Sequence, residues 1–98
     1  RMINRRVCMT VNEIISEVTA ICKSNNVEHL SLFGSYAKGT ATRYSDLDFI
    51  VYGQVDMAKL QEQIDEIMTL KKIDLFEYDL CQNRYLKEDM DRYAKKIY

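Results

Sequence analysis

Apolar periodicity predicts an α+β fold for this chain, with helices and short strands alternating along one small domain. Three observations carry the prediction. Apolar residues recur at helical spacing from Val11 to Cys22, and again from Met57 to Met68. Between and after those runs lie three short strand-like segments, each ended by a glycine or a polar break. The 98 residues contain 47% apolar side chains, which suits one core and no more. No proline, internal repeat or low-complexity linker divides the chain, so residues 1–98 are expected to form one domain. Such a core is thin, which makes a second copy or a partner protein an expected neighbour.

The elements follow in order. Thr10-Val-Asn-Glu13 reads as a capping box, a hydroxyl N-cap with a glutamate three residues on. Val11, Ile14, Ile15, Val18, Ile21 and Cys22 then mark a helix over about 10–24, which the Ser24-Asn25-Asn26 run ends. His29 to Phe33 is a short strand stopped by Gly34, and a short helix follows it. A second strand runs from Asp46 to Tyr52. In it Asp46, Asp48, Ile50 and Tyr52 share one face, and Leu47, Phe49 and Val51 the other. Asp56 caps a helix over about 56–70 with Met57, Leu60, Ile64, Ile67 and Met68 on its apolar face. Lys72 to Tyr78 is the third strand. From Asn83 the chain is helical again, with Leu86, Met90, Tyr93, Ala94 and Ile97 on one stripe.

Composition narrows the function. With 14 basic and 15 acidic residues the net charge is −1, so no bulk field draws the chain to nucleic acid. The alternating charges from Lys87 to Lys96 read as a solvated helix face. Cys8, Cys22 and Cys81 are scattered, show no zinc-ligand spacing, and read as reduced thiols of a cytoplasmic protein, with Cys22 in the core. No apolar run reaches the roughly 18–20 residues of a membrane helix. The opening RMINRRV is basic but lacks the apolar stretch of a secretory signal.

The stretch from Gly34 to Asp48, GSYAKGTATRYSDLD, holds two of the three glycines and two aspartates one residue apart. Gly34 and Ser35 stand where a strand gives way to a helix. Free N–H groups there attract anions, glycine allows a phosphate close approach, and the serine adds a donor. Taken alone, the pair is a weak signal, and such a pair is most often an ordinary turn. Asp46 and Asp48 on one strand face repel each other unless a cation sits between them. Magnesium favours such hard oxygens together with substrate phosphate. A solvated strand edge is the plainer alternative, but Leu47, Phe49, Ile50 and Val51 argue for burial, where unpartnered charge is costly. Asp74 sits among Ile73, Leu75 and Phe76. If its strand lies beside the Asp46–Asp48 strand, three carboxylates converge as in a two-metal displacement. Glu77 and Asp79 are rival third acids.

Gly34-Ser-Tyr-Ala-Lys-Gly39, then Ser45-Asp-Leu-Asp48, then Ile73-Asp-Leu75 resemble the minimal nucleotidyltransferases of the DNA polymerase β superfamily. The family pattern is G-S-x-A-x-G, a short spacer, S-D-x-D, and a later strand with a third aspartate. The match runs along nearly the whole chain. The resemblance implies a polymerase β-like fold with a mixed sheet flanked by helices, two Mg²⁺ ions and an NTP donor, ATP above all. It implies triphosphate binding by Gly34, Ser35, Lys38 and Ser45, metal binding by Asp46, Asp48 and Asp74, and proton abstraction by Asp74. Tyr36 and Lys38 depart from the arginines many relatives carry: Lys38 keeps the charge without the fork, and Tyr36 keeps neither. Arg43 takes a position often held by proline.

The resemblance further implies an antitoxin that moves AMP to a tyrosine of a HEPN-type toxin protein. A small-molecule nucleotidyltransferase shares the motif but usually carries an added helical domain, whereas this sequence stops after one helix. A non-catalytic binding module would be expected to lose an aspartate, and all three are present. Of the seven tyrosines, Tyr85, Tyr93 and Tyr98 read as half-buried core and rim rather than a partner surface. His29, the single histidine, reads as a surface or capping residue.

Overall fold

The computed structural model describes residues 9–98; Cys8 and the basic opening segment lie outside them. The order is α1 (Val11–Ser24), β1 (His29–Phe33), α2 (Gly34–Lys38), β2 (Leu47–Tyr52), α3 (Met57–Asp65), β3 (Ile73–Glu77), α4 (Arg84–Tyr93) and β4 (Lys95–Lys96). The strands form one sheet in the order β3-β2-β1-β4. β1 runs antiparallel to β2 and β4, and β2 runs parallel to β3. The parallel pair needs a crossover, and α3 supplies it.

The helix starts follow local chemistry. Thr10 Oγ1 accepts from the Glu13 N–H at 3.1 Å, and Glu13 Oε1 accepts from the Thr10 N–H at 2.8 Å, closing the capping box. Asp56 and Asn83 cap α3 and α4 in the same manner through Lys59 and Leu86 N–H groups. Replacing Thr10 with alanine leaves the Glu13 N–H to water. Urea denaturation is expected to show a loss of about 1 kcal/mol, and an unchanged midpoint would mean the box adds nothing.

Ile14, Val18 and Cys22 repeat every fourth residue along α1 and are fully buried. With Leu60 and Ile64 of α3 they cover the sheet face formed by Leu30, Leu32, Leu47, Phe49 and Val51. The other face carries a smaller cluster of Phe33 and Ile50 beneath Met90 of α4. Phe76 meets Phe33 edge to face there, at 5.9 Å between ring centroids. Alternation along β2 therefore sorts its residues as the sequence implied. Burial pushes the Cys22 thiol up to about 11, so it stays protonated and inert.

Three expectations are corrected. α3 ends at Asp65, not near residue 70. The N–H groups of Glu66 and Ile67 donate three residues back, to Gln63 and Ile64, tightening the last turn so the chain can double back into β3. Ile67 stays buried, whereas Met68, expected on the core stripe, is 55% exposed. The last helix stops at Tyr93, and Ile97 is not on its stripe. Ala94 turns extended, Lys95–Lys96 pair with the free edge of β1, and the Ile97 N–H donates to the Leu30 carbonyl at 2.8 Å. β1 would otherwise keep an open edge, and that non-local demand outweighs helical periodicity. Finally, β2 begins at Leu47, so Asp46 precedes the strand.

Tyr85 is 77% exposed and belongs to no core. Tyr98 is half-buried, and its hydroxyl donates to the Val27 carbonyl at 3.0 Å. His29 is exposed at the far end of β1, with its ring edge-on to Tyr52.

Candidate active site

Sheet direction builds the site. Because β1 is antiparallel to β2 and β2 is parallel to β3, the end of β1 meets the beginnings of both other strands. Phe33 lies opposite Asp48, and Asp48 lies opposite Asp74, in one row across three strands. The parallel neighbour that would bring Asp74 to Asp48 is thus present. Glu77 pairs instead with Val51, and Asp79 accepts the Gly53 N–H at 3.2 Å, so neither rival acid joins the row.

Gly34 follows Phe33 directly, with φ of +70°. That backbone region suits glycine. A Cβ on Gly34 would also overlap Asp48 Oδ2. The carboxylate is therefore packed against the first residue of α2, and only the missing side chain makes room for it. No side chain caps α2, so the N–H groups at Gly34 and Ser35 are not claimed from that side. Gly39, with φ of +77°, ends the helix in the left-handed conformation.

The carboxylates repel. The Asp48 carboxyl is pushed up to about 6, first by burial, then by the negative charges of Asp74 and Asp46 and by a hydrogen bond shared with Asp74; Lys72 opposes the rise. Lys72 also pairs with Asp74 at 3.8 Å, an exposed contact worth little. Asp46 is exposed in the loop before β2, near enough to act on Asp48. Among the described residues no three His, Cys, Asp or Glu side chains form a ready-made metal cage. Magnesium does not ask for one: it takes one or two carboxylates and completes its shell with water and substrate phosphate. A half-buried Asp48–Asp74 pair of hard oxygens whose charge is only weakly offset fits such an ion.

The other expected residues lie around this row. Lys38, at the far end of α2, holds its ammonium 4.6 Å over the Tyr93 ring rather than among the carboxylates. Ser45 organises the loop: its Oγ accepts the Thr42 N–H at 2.9 Å, and its own N–H donates to the Thr42 carbonyl at 3.0 Å. An open groove of about 380 Å³ beside Asp46 is bordered by Arg43, Tyr44, Lys71 and Lys72. A larger one, of about 730 Å³, lies between α1 and Met68 and includes none of these carboxylates. Lys71 escaped the sequence reading. Its ammonium donates to the carbonyls of Arg43 at 3.1 Å and Ser45 at 2.9 Å. The only signal was a pair of lysines ahead of a strand, which is common on surfaces.

Residues 16–98 match the polymerase beta nucleotidyltransferase family. The chain belongs to that family. The enzyme class implied by the motif, nucleotidyltransferase, stands with it, as does the resemblance to its minimal members. A Methanocaldococcus jannaschii protein provisionally named a protein adenylyltransferase is 30% identical over 92 residues, covering 85% of this chain and 98% of the relative. A second protein of that organism with the same provisional name is 33% identical over 93 residues, covering 89% of this chain and 61% of its own length. Two solved structures share the fold. A toxin–antitoxin complex with AMP-PNP superposes with a TM-score of 0.70 at 21% identity, covering 85% of this chain and 71% of that one. A mutant of the MntA–HpeT toxin–antitoxin pair reaches 0.66 at 18% identity, covering 92% and 73%. The mixed sheet flanked by helices is thus a polymerase β-like fold. No described helix is long and apolar enough to cross a membrane.

Proposed function

We propose that this chain is a magnesium-dependent protein adenylyltransferase that moves AMP from ATP to a tyrosine of a HEPN-type toxin, acting as its antitoxin in the cytoplasm. The observation that carries the reading is the Asp48–Asp74 pair set against the glycine that opens α2. The provisional names of the archaeal relatives support a protein acceptor, and the toxin–antitoxin neighbours support the partner class.

In this reading Asp46 and Asp48 would hold one ion, and Asp74 would help to hold a second. Bound magnesium would neutralise phosphate oxygens and favour the charge that develops at the α-phosphorus. Gly34 and Ser35 orient the triphosphate through their N–H groups. The acceptor hydroxyl gives its proton to Asp74, and its oxygen bonds to the α-phosphorus. The bond from that phosphorus to the bridging oxygen breaks, and pyrophosphate leaves. Residues 1–98 act as one domain in this scheme.

The test is incubation with Mg²⁺, α-labelled ATP and a lysate of the host, beside an Asp46→Asn/Asp48→Asn double variant. Label on one protein band, absent with the variant, is expected, and mass spectrometry then names the acceptor tyrosine. ATP binding without protein label would replace the protein acceptor by a small molecule. Neither label nor ATP binding would leave a non-catalytic module that blocks a partner sterically.

A further inference from the structure

Lys71 links three pieces of the site that are distant in sequence. Its ammonium donates to the carbonyls of Arg43 and Ser45, the second directly before Asp46. The same ammonium lies 5.4 Å over the ring of Tyr36, on α2. Its own backbone leads into β3 three residues before Asp74, and the adjoining Lys72 carbonyl accepts the Leu47 N–H at 2.9 Å. One side chain therefore ties the loop bearing Asp46 to the phosphate-side helix and to the strand carrying Asp74. Asp46 needs such a tie. It is exposed, it precedes β2, and none of the sheet's ladder bonds reach it.

We propose that Lys71 is a positioning residue that holds the Asp46 loop in a metal-binding geometry, with Tyr36 serving as the platform for its ammonium. The inference rests on the metal reading given above. It also accounts for Tyr36: a ring there supports a cation delivered from the chain ahead of β3, where an arginine would repel it.

The sign of one measurement separates positioning from plain charge. Removing a cation that lines the same groove as Asp46 strengthens binding of a divalent ion if Lys71 acts only through its field. If it acts by holding the loop, removal weakens binding, by about 10-fold, as for partners that orient a ligand from behind. The experiment is Mn²⁺ binding in the presence of ATP, followed by electron paramagnetic resonance, for the whole chain and its Lys71→Met and Lys71→Arg variants. Lys71→Met is expected to bind Mn²⁺ about 10-fold more weakly, and Lys71→Arg, which can still reach both carbonyls, to recover most of the loss. Should Lys71→Met not fold, Lys71→Gln gives the same comparison. Unchanged or tighter binding in the folded variant overturns the inference while leaving the metal reading intact. No Mn²⁺ binding by the unsubstituted chain with ATP overturns both.

Discussion

Asp48→Asn is expected to abolish transfer while making the metal-free protein more stable. The loss follows from position. Asp48 is the central member of the row, packed against Gly34 on one side and facing Asp74 on the other. An amide carries no charge to hold an ion, and a fall on the order of 10³-fold in rate is expected, about 4 kcal/mol of transition-state stabilisation. The gain follows from burial of the charge and, after it, from repulsion by Asp74 and Asp46. The Asp48 carboxyl titrates at about 6 in the folded chain against an ordinary 3.8, so folding favours its neutral form. That contribution is fully present below about 4 and is lost as pH rises through about 6. At pH 8 the wild-type chain therefore carries an ionised Asp48 at a cost that asparagine does not have. The full shift would correspond to about 3 kcal/mol, and partial solvent screening reduces it to about 1 kcal/mol. Calorimetry in EDTA should show the variant melting about 4–8 °C higher at pH 8 and no higher at pH 4. Mg²⁺ with ATP should raise the wild-type melting temperature and leave that of the variant in place. A variant less stable than wild type at pH 8 would mean that neither burial nor its neighbours disfavour the Asp48 charge.

Gly34→Ala is expected to damage both fold and activity, for a different reason. Alanine in the left-handed region costs about 1–2 kcal/mol. Here its Cβ would also collide with Asp48 Oδ2, and something must move. Such overpacking adds about 1–3 kcal/mol. The sum, about 2–5 kcal/mol, lowers the melting temperature by about 8–40 °C for a domain of this size. The displaced carboxylate should cost transfer about as much as Asp48→Asn does. Gly39→Ala is the control. Its φ of +77° is equally positive, but nothing stands within 4 Å of its Cβ position. It should show only the backbone penalty and keep activity. If the two alanine variants melt alike and both remain active, the close approach of Gly34 to Asp48 has no functional weight.

In the proposed reading, metal binding and stability are opposed at this site. Half-buried Asp48 and its neighbour Asp74 destabilise the empty protein, and a bound cation would relieve them. Proteins keep such arrangements where charge is needed for function.

Much of this was legible locally. The capping box at Thr10 and Glu13, the N-cap Asp56, and the apolar stripe Ile14, Val18, Cys22 depend on residues three or four apart, and the sequence displays them directly. The three aspartates and the glycine at the start of α2 could likewise be named from their motif. What the sequence by itself determined is the inventory: where the helices begin, which segments make the three longer strands, and which side chains are available for chemistry. Only the tertiary structure decided how they meet. The Asp48–Asp74 pairing is a register between strands separated by a crossover helix, and register is set by packing against the shared core. The early end of α3, the pairing of Lys95–Lys96 with β1, and the exposure of Met68 answer to an open sheet edge and a chain reversal. Asp46 left the strand, and Lys71 reached back 26 residues to the Ser45 carbonyl beside it. Helix caps and apolar periods are short-range and carry their signal in neighbouring residues. Sheet register, edge pairing and side-chain clamps join residues far apart in the chain, and only the folded molecule brings them within bonding distance.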